Sequence, residues 1–503
     1  MSVVVVGAGA MGRGIAQLLA VAGHRVWLAD ANPTVAAEAL DTVGAMVDRL
    51  AAKGRLTDDP ARVRERLATV TAEPARWVAV APDLVIEAVV EDLTVKRELF
   101  AELERRLPAY TILATNTSSL SITSIAAGLQ HPERVVGLHF FNPVPLMRLV
   151  EVVPGESTEP AVVERMEELV RDCGHTPVRV RDTPGFLVNH AGRAYSTEAL
   201  RIVDEGVAAP VDVDRVCREA AGFRMGPFEL LDLTGLDVSQ PVMESVYHGF
   251  YEDPRLRPSP TGRRRLAAGR LGRKSGGGFY TYTADGHQVT PDEAPAPAYD
   301  GTPVWVDGAD PATGAALREL LSSHGVAVEE GPAPSPAAVA LVAPYGKDVT
   351  TAALAAGLPA DRCLGVDPLG GFAGRLTLAT NPGTSAPALR HAHAALAATG
   401  QAVTVVRDGV GFLAQRIVAG VVNLGCEIAQ LGLAAPAEVD TAVTVALGYP
   451  RGPLAWGDEI GPARVYEVLQ GLQAAYGDPR YRPSPWLSRR ARLGLSLRHV
   501  EAR

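Results

Sequence analysis

The sequence predicts an α/β chain: a parallel, doubly wound sheet, then a mostly helical domain, then a shortened and degenerate repeat of both. Three observations carry that expectation. A β-branched strand runs into a glycine-rich turn and a helix near residue 3. Apolar strands then alternate with helical stretches, the pattern of a parallel sheet. Finally, motifs of the first half return in order in the second.

Residues 3–6 (VVVV) lead into 7–12 (GAGAMG), and 13–20 (RGIAQLLA) continue as a helix. The spacing is G-x-G-x-x-G between strand and helix. Gly7 permits the tight turn out of the strand, Gly9 lets the backbone approach a pyrophosphate, and Gly12 lets the helix pack close to the sheet. Ala10 and Met11 sit at the helix N-terminus, where free N–H groups and the dipole favour phosphates. Residues 25–29 read as a second strand ending at Asp30, whose carboxylate can accept hydrogen bonds from both ribose hydroxyls. That carboxylate would repel a 2′-phosphate, and residues 31–33 (ANP) supply no arginine to receive one. The expected cofactor is NAD rather than NADP.

Residues 35–70 read as helical and 84–89 as a buried strand; 91–96 open a helix. Strands follow at 112–115, 134–140 and 149–153. In doubly wound sheets ligands sit at the carboxyl ends of strands. Asn116, Ser118, His139 and Asn142 all lie at or just after such ends. After 182–186 (DTPGF) the character becomes helical through 282, and 284–300 is rich in proline and acids. The expected domains are therefore 1–182, binding the nucleotide; 183–283, helical; 284–300, a linker; 301–407, a degenerate α/β domain; and 408–503, a second helical domain.

The repeat keeps register over a long stretch. Residues 182–187 (DTPGFL) return at 408–413 (DGVGFL), and 251–260 (YEDPRLRPSP) at 476–485 (YGDPRYRPSP). Gly226 and Pro227 return as Gly452 and Pro453, Asp232 as Asp458, and Gly235 as Gly461. Further back, 133–139 (ERVVGLH) matches 361–367 (DRCLGVD), and 304–308 (VWVDG) reads as a relic of the first strand and turn. No G-x-G-x-x-G follows it, so the second copy is expected to hold no cofactor. There His139 becomes Asp367, Glu151 aligns near Leu378, and Asn189 becomes Gln415, and a structural role is expected for that copy.

Composition narrows the classes. Hydrophobic residues make up 47% and charged residues 21%, as in ordinary soluble proteins. A net charge of -9 argues against wrapping nucleic acid through general basicity. No apolar run is long enough to span a bilayer, and the opening residues lack a positive leader, so a cytoplasmic protein is expected. Four cysteines lie far apart without a C-x-x-C pair, which predicts neither a disulfide framework nor a metal site. His391 and His393, two apart on an Ala-rich helical stretch, do not share a face and read as exposed. Only four of the 48 basic residues are lysines: Lys53, Lys96, Lys274 and Lys347.

Six stretches carry a resemblance: 7–16 (GAGAMGRGIA), 116–123 (NTSSLSIT), 139–145 (HFFNPVP), 149–152 (LVEV), 182–189 (DTPGFLVN) and 226–232 (GPFELLD). In order and spacing they resemble the NAD-dependent L-3-hydroxyacyl-CoA dehydrogenases of fatty acid β-oxidation. The whole length is similar to the long form, of 3-hydroxybutyryl-CoA and 3-hydroxyadipyl-CoA type, the latter from phenylacetate degradation. The resemblance implies a Rossmann domain followed by an all-α domain like that of 6-phosphogluconate dehydrogenase, then a truncated repeat of both.

It also implies roles. His139 would be the base that takes the hydroxyl proton, a task suited to imidazole with its ordinary pKa of about 6.5. Glu151, in an apolar strand where an unpaired charge is costly, would orient it. Ser118 would bind the substrate's 3-oxygen, and Asn189 the substrate near its thioester. Glu91, Lys96, Asn116, Asn142 and Lys274 match cofactor contacts, with Ser118 near the nicotinamide, and Lys53 is a candidate for the CoA phosphates. Members often carry arginine after Asn189, where this chain has His190. Members dimerise through the helical domain, so the two helical domains are expected to pair within one chain, and a homo-oligomer stays open. Two other readings compete: a dehydrogenase of a free hydroxy acid, of L-gulonate type, and a non-catalytic NAD-binding sensor or scaffold.

Overall fold

The computed structural model describes residues 1–501 other than 72, 75, 76, 78 and 79. They fall into two compact units, 1–190 with 431–447, and 191–430 with 448–501.

The first unit is built on an eight-stranded sheet. Its elements are β1 (Ser2–Val6), α1 (Ala10–Val21), β2 (Arg25–Ala29), α2 (Pro33–Ala52), α3 (Pro60–Glu65), β3 (Leu67–Thr69), β4 (Leu84–Glu87) and α4 (Leu93–Arg106). There follow β5 (Ile112–Thr115), α5 (Ile122–Ala126), β6 (Val135–Phe140), β7 (Leu149–Pro154), α6 (Pro160–Asp172), β8 (Thr176–Arg179) and α7 (Val188–Ala191). The strand order is β3-β2-β1-β4-β5-β6-β7-β8. The central strands are covered on both faces, which is why they read as continuous apolar runs. Val3, Val5, Leu28, Ile86 and Leu138 are fully buried in the core with Ile15 and Leu19 of α1.

Two expectations need correction. Residues 35–70 are not one helical stretch: α2 ends at Ala52, and 67–69 form the edge strand β3, paired with β2. The sheet is not wholly parallel either, since β7 runs antiparallel to β6. The 141–148 connection is too short for a crossover helix, so the chain can only turn back. A third difference is one of packing. Residues 431–447, expected within the second helical domain, join the first unit. Arg181 N donates to Leu433 O (2.9 Å) and Arg179 N to the Glu438 carboxylate (3.1 Å).

The second unit holds α8 (Arg193–Asp204), α9 (Pro210–Glu219), α10 (Pro227–Thr234), α11 (Leu236–Gly249), α12 (Pro260–Ala267) and the hairpin β9 (Thr281–Tyr282) and β10 (Gln288–Val289). A six-stranded sheet follows: β11 (Val304–Val306), α13 (Pro311–Ser323), β12 (Val328–Glu329), β13 (Val339–Val342), α14 (Val349–Ala355), β14 (Cys363–Val366), β15 (Leu376–Ala379), α15 (Ala386–Ala397) and β16 (Val403–Val406). Its order is β12-β11-β13-β14-β15-β16, with only β14–β15 antiparallel. The chain closes with α16 (Ala414–Gln430), α17 (Pro436–Leu447, in the first unit), α18 (Pro453–Ile460), α19 (Pro462–Tyr476) and α20 (Pro485–Leu493).

The duplication extends to hydrogen bonds. Asp182 accepts from Ile122 N (3.0 Å) and Thr123 N (2.8 Å); its mate Asp408 accepts from Val349 N (2.8 Å) and Thr350 N (3.1 Å). Phe186 and Phe412 share a left-handed backbone, φ +49° and +48°. A Cβ on Gly12 would lie 1.8 Å from Gly7 O, and one on Gly314 2.5 Å from Asp307 O. The 304–308 relic is thus the strand next to the edge of the second sheet, with its turn, and Gly314 keeps the close helix approach. Counterparts of β3 and β4 are missing from that sheet.

Within the second unit the two helical repeats pack on each other through α8 and α16. Arg255 donates to Arg482 O (3.4 Å), and its mate Arg480 donates to Arg257 O (2.5 Å), the reciprocal contacts of a two-fold. Arg416, fully buried, binds Glu198, both carboxylate oxygens of Glu205 (2.6 and 3.0 Å), and the hydroxyls of Tyr476 (3.0 Å) and Tyr481 (2.9 Å). His391 and His393 lie on α15 but are half-buried rather than exposed, with His391 Nε2 3.3 Å from Asp300.

Candidate active site

The glycine turn leaves β1 with Gly7 at φ +103°, and Gly7 N donates to Ala29 O (2.8 Å). This bond brings the turn beside the end of β2. There the Asp30 carboxylate accepts from Ala8 N (2.9 Å) and Asn32 N (3.0 Å). Gly12 packs against Gly7 with no room for a side chain, whereas a Cβ on Gly9 would meet nothing within 4 Å. Gly9 and Ala10 are exposed and Met11 is half-buried. An open glycine at a helix N-terminus, with an ionisable acid across from it, fits the pyrophosphate and ribose of a dinucleotide.

His139 and Glu151 are direct partners in the antiparallel β6–β7 register, so their side chains share one face of the sheet. His139 Nδ1 lies 2.6 Å from Glu151 Oε2. The other carboxylate oxygen accepts from Leu187 N (2.9 Å) and Val188 N (2.8 Å), which follow the turn at Gly185 and Phe186. Both side chains are nearly inaccessible, at 6% and 0% exposed. Phe141 and Phe186 flank the imidazole, at ring-centroid distances of 4.4 and 5.7 Å. Glu151 therefore carries its charge fully hydrogen-bonded, the condition for burying it. An acceptor at Nδ1 places the proton on that nitrogen and leaves Nε2 as the basic one.

The neighbouring strand ends add a polar cluster. Asn116 Oδ1 accepts from Phe140 N (2.9 Å) and ties β5 to β6 beside His139. One oxygen of Glu91 collects Thr117 Oγ1 (2.7 Å), Ser118 N (2.9 Å), Ser119 N (3.1 Å) and Ser119 Oγ (2.9 Å), with Ser118 Oγ at 3.3 Å. Burial alone would raise the Glu91 carboxyl, but these bonds and Lys96 hold it below its ordinary value. Lys96 is not a solvated helix-start charge. It is 1% exposed, its ammonium 2.5 Å from Glu87 and 3.3 Å from Glu91.

Glu87 is the residue that the sequence reading missed. It is wholly buried, and it also accepts from Thr115 Oγ1 (2.6 Å) and Val89 N (2.7 Å). The available signal was an acid closing the otherwise apolar strand 84–87 (LVIE). Asn142 is exposed in the loop after β6, and Asn189 is half-buried in α7. Lys53 is exposed at the end of α2. Lys274 belongs to the second unit, where it pairs with Asp237 (2.5 Å). In the second copy the β14–β15 register places Thr377, rather than Leu378, opposite Asp367.

Comparison with known proteins agrees along the whole length. The family described as 3-hydroxyacyl-CoA dehydrogenase, NAD binding domain, matches residues 2–183. The corresponding C-terminal domain family matches twice, at 185–282 and 411–500. The 3-hydroxyadipyl-CoA dehydrogenase of Escherichia coli K12 is 39% identical over 493 residues, 98% of each chain. A probable 3-hydroxybutyryl-CoA dehydrogenase of Bacillus subtilis is 42% identical over 280 residues, 56% of this chain and 96% of that one. Among solved structures, 3-hydroxybutyryl-CoA dehydrogenase from Escherichia coli K12 superimposes with a TM-score of 0.86 at 38% identity, covering 98% of each chain. The chain belongs to the NAD-dependent 3-hydroxyacyl-CoA dehydrogenase family, in a long form with the C-terminal domain duplicated.

Proposed function

We propose that the protein oxidises an (S)-3-hydroxyacyl-CoA to the 3-oxoacyl-CoA, with His139 as the base. The observation that carries this reading is the buried His139–Glu151 pair at the carboxyl end of β6. NAD, when bound, accepts the hydride from the carbinol carbon. Nε2 of His139 takes the hydroxyl proton as the carbonyl forms. Glu151 fixes the tautomer through Nδ1 and stabilises the resulting imidazolium. Ser118 is assigned to the 3-oxygen and Asn189 to the thioester end. Gly7, Gly9, Ala10, Met11, Gly12 and Asp30 hold the nucleotide, and Glu91, Lys96, Asn116 and Asn142 surround the nicotinamide ribose. Lys274 and Lys53 are kept as further cofactor and CoA-phosphate contacts.

The substrate we favour is a short acyl-CoA of the 3-hydroxybutyryl or 3-hydroxyadipyl type, on the strength of the full-length relatives. We place the enzyme in the cytoplasm. Its four cysteines are unpaired, as a reducing compartment requires, and no helix of the described residues is long and apolar enough to cross a membrane. We also propose that the pairing of α8 with α16 stands in for a partner subunit. NADH formation with a panel of 3-hydroxyacyl-CoAs, 3-hydroxyadipyl-CoA and free hydroxy acids tests the assignment. A thioester-dependent rate that vanishes in His139→Ala is expected; turnover of free acids alone would overturn it.

A further inference from the structure

The cluster around Glu91 has an anchor that lies deeper than the cofactor edge. Glu87 closes β4, is wholly buried, and makes no contact with open surface. Its Oε1 binds Lys96 Nζ (2.5 Å) and Val89 N (2.7 Å), and its Oε2 accepts from Thr115 Oγ1 at the end of β5 (2.6 Å). Lys96, one turn into α4, reaches back over the strand ends to Glu91 (3.3 Å). Glu91 in turn gathers the amides of Ser118 and Ser119 and the hydroxyl of Thr117 on a single oxygen. The contacts form one path: Glu87 to Lys96, Lys96 to Glu91, Glu91 to the 117–119 loop.

A lysine ammonium is a point charge on a flexible stem, and it has no preferred direction of its own. Buried at 1% exposure, it needs a fixed counter-charge, and Glu87 is the only carboxylate of the two it contacts that is shielded from solvent (0% against 37%). Glu91 on the half-open side would otherwise rotate into water and release the loop. We propose that Glu87 is a positioning residue of the dehydrogenase site: by anchoring Lys96 it holds Glu91 and the 117–119 loop, and so places Ser118 for substrate and nicotinamide. The inference rests on the reading of that loop given above. It adds a residue that acts without touching either ligand. The second copy is consistent with it, since its sheet has lost the strand corresponding to β4 together with the dyad.

The test uses the full-length protein and two readouts. NADH binding, followed by fluorescence titration, needs no substrate and so stands apart from the proposed reaction. Steady-state kinetics separate KM for NAD from kcat. Glu87→Gln should weaken NADH binding and raise KM for NAD by roughly ten- to a hundredfold, the scale of lost hydrogen bonds to charged groups. Lys96→Met should do the same, and the double variant should be no worse than the poorer single one, because both cut the same path. Thr115→Val, which keeps every charge and removes the bond to Glu87 together with a longer one from Thr117 N (3.3 Å), should give a smaller loss in the same direction and guards against a Glu87 variant that does not fold. Wild-type NADH affinity and kcat in a folded Glu87→Gln protein would overturn the proposal. So would additive losses in the double variant, or a lowered melting temperature with binding unchanged. Failure to turn over any 3-hydroxyacyl-CoA, with NADH binding still responding to Glu87, would count against the reaction and leave the positioning role standing.

Discussion

Arg416→Met is the most exacting perturbation of the pairing between helical repeats. The arginine is 0% exposed and Glu198 5%. Removing the guanidinium strands Glu198 with only the Tyr481 hydroxyl (2.7 Å) and Arg480, 3.7 Å away. Breaking a buried pair from one side costs about 3–5 kcal/mol, because the remaining charge keeps its desolvation penalty. The nearby Arg480 puts the expected loss at the low end, about 3 kcal/mol. Glu205 adds little, since it is partly solvated and keeps Arg201 at 2.8 Å. The repeat mate of Glu198 is Leu424, so an apolar side chain is tolerated at the equivalent point of the partner helix. Adding Glu198→Leu to Arg416→Met should therefore recover most of the loss, to within about 1 kcal/mol of wild type.

A chain with several domains has no single unfolding free energy, so hydrogen exchange is the assay of choice. Amides of α8 and α16 should lose protection on the order of a hundredfold in the single variant and recover in the double. A double variant as damaged as the single one would refute the stranded-charge argument and leave lost packing as the cause. Unchanged exchange in Arg416→Met would refute the role of the cluster altogether.

Glu151→Gln can keep accepting from Leu187 N and Val188 N, but its amide group would face Nδ1 and force the proton to Nε2. A fall in kcat of about three to four orders of magnitude is expected, with NADH affinity preserved; retention of about a tenth of the activity would contradict the orienting role. The same helical pairing should weaken in acid. Burial pushes Glu205 and Asp478 up, but Arg416 and Arg201 outweigh it and hold both below their ordinary values of 4.5 and 3.8. Depressed carboxyls contribute stability that is present above the unfolded pKa and lost as pH falls through the folded values. Protection of α8 and α16 amides should be flat near neutrality and fall below about pH 4; a fall that began near neutrality would implicate other groups.

The sequence was most informative where a residue type has one physical use. The glycine turn, with Asp30 closing the next strand, needed no structure to interpret. His139 and Glu151 were recognisable as a base and a carboxylate on successive strands. Their direct opposition was not, because it depends on β7 turning back through the short 141–148 connection. Register failed by one residue in the second copy, where Thr377 rather than Leu378 faces Asp367; a single-residue shift moves a side chain to the other face. Glu87 was passed over because its partner sits across a turn and on another element, so no local spacing reveals the pair. The departure of 431–447 to the first sheet was equally hidden. The helix of that segment is only weakly amphipathic, so its sequence does not say which face is buried or against what.

The second copy separates residues kept for folding from residues kept for chemistry. Asp408 still caps α14, and Phe412 still holds its left-handed turn, since the backbone there needs both. The dyad positions fared differently. Asp367 Oδ2 and Thr377 Oγ1 are buried without a hydrogen-bond partner among the described residues, and burial pushes the Asp367 carboxyl up to about 6. Polar atoms satisfied by each other in the first copy are orphaned in the second. Positions selected for packing would have become apolar, because an unpaired buried hydroxyl costs about 1–3 kcal/mol. Thr377→Val tests this: the side chain keeps its shape, β propensity and burial, and loses only the orphaned hydroxyl. The variant should be more stable by about 1 kcal/mol, read as slower exchange of the β14 and β15 amides. A loss of protection would mean that the hydroxyl is in use, and that the second site is less retired than its missing histidine implies.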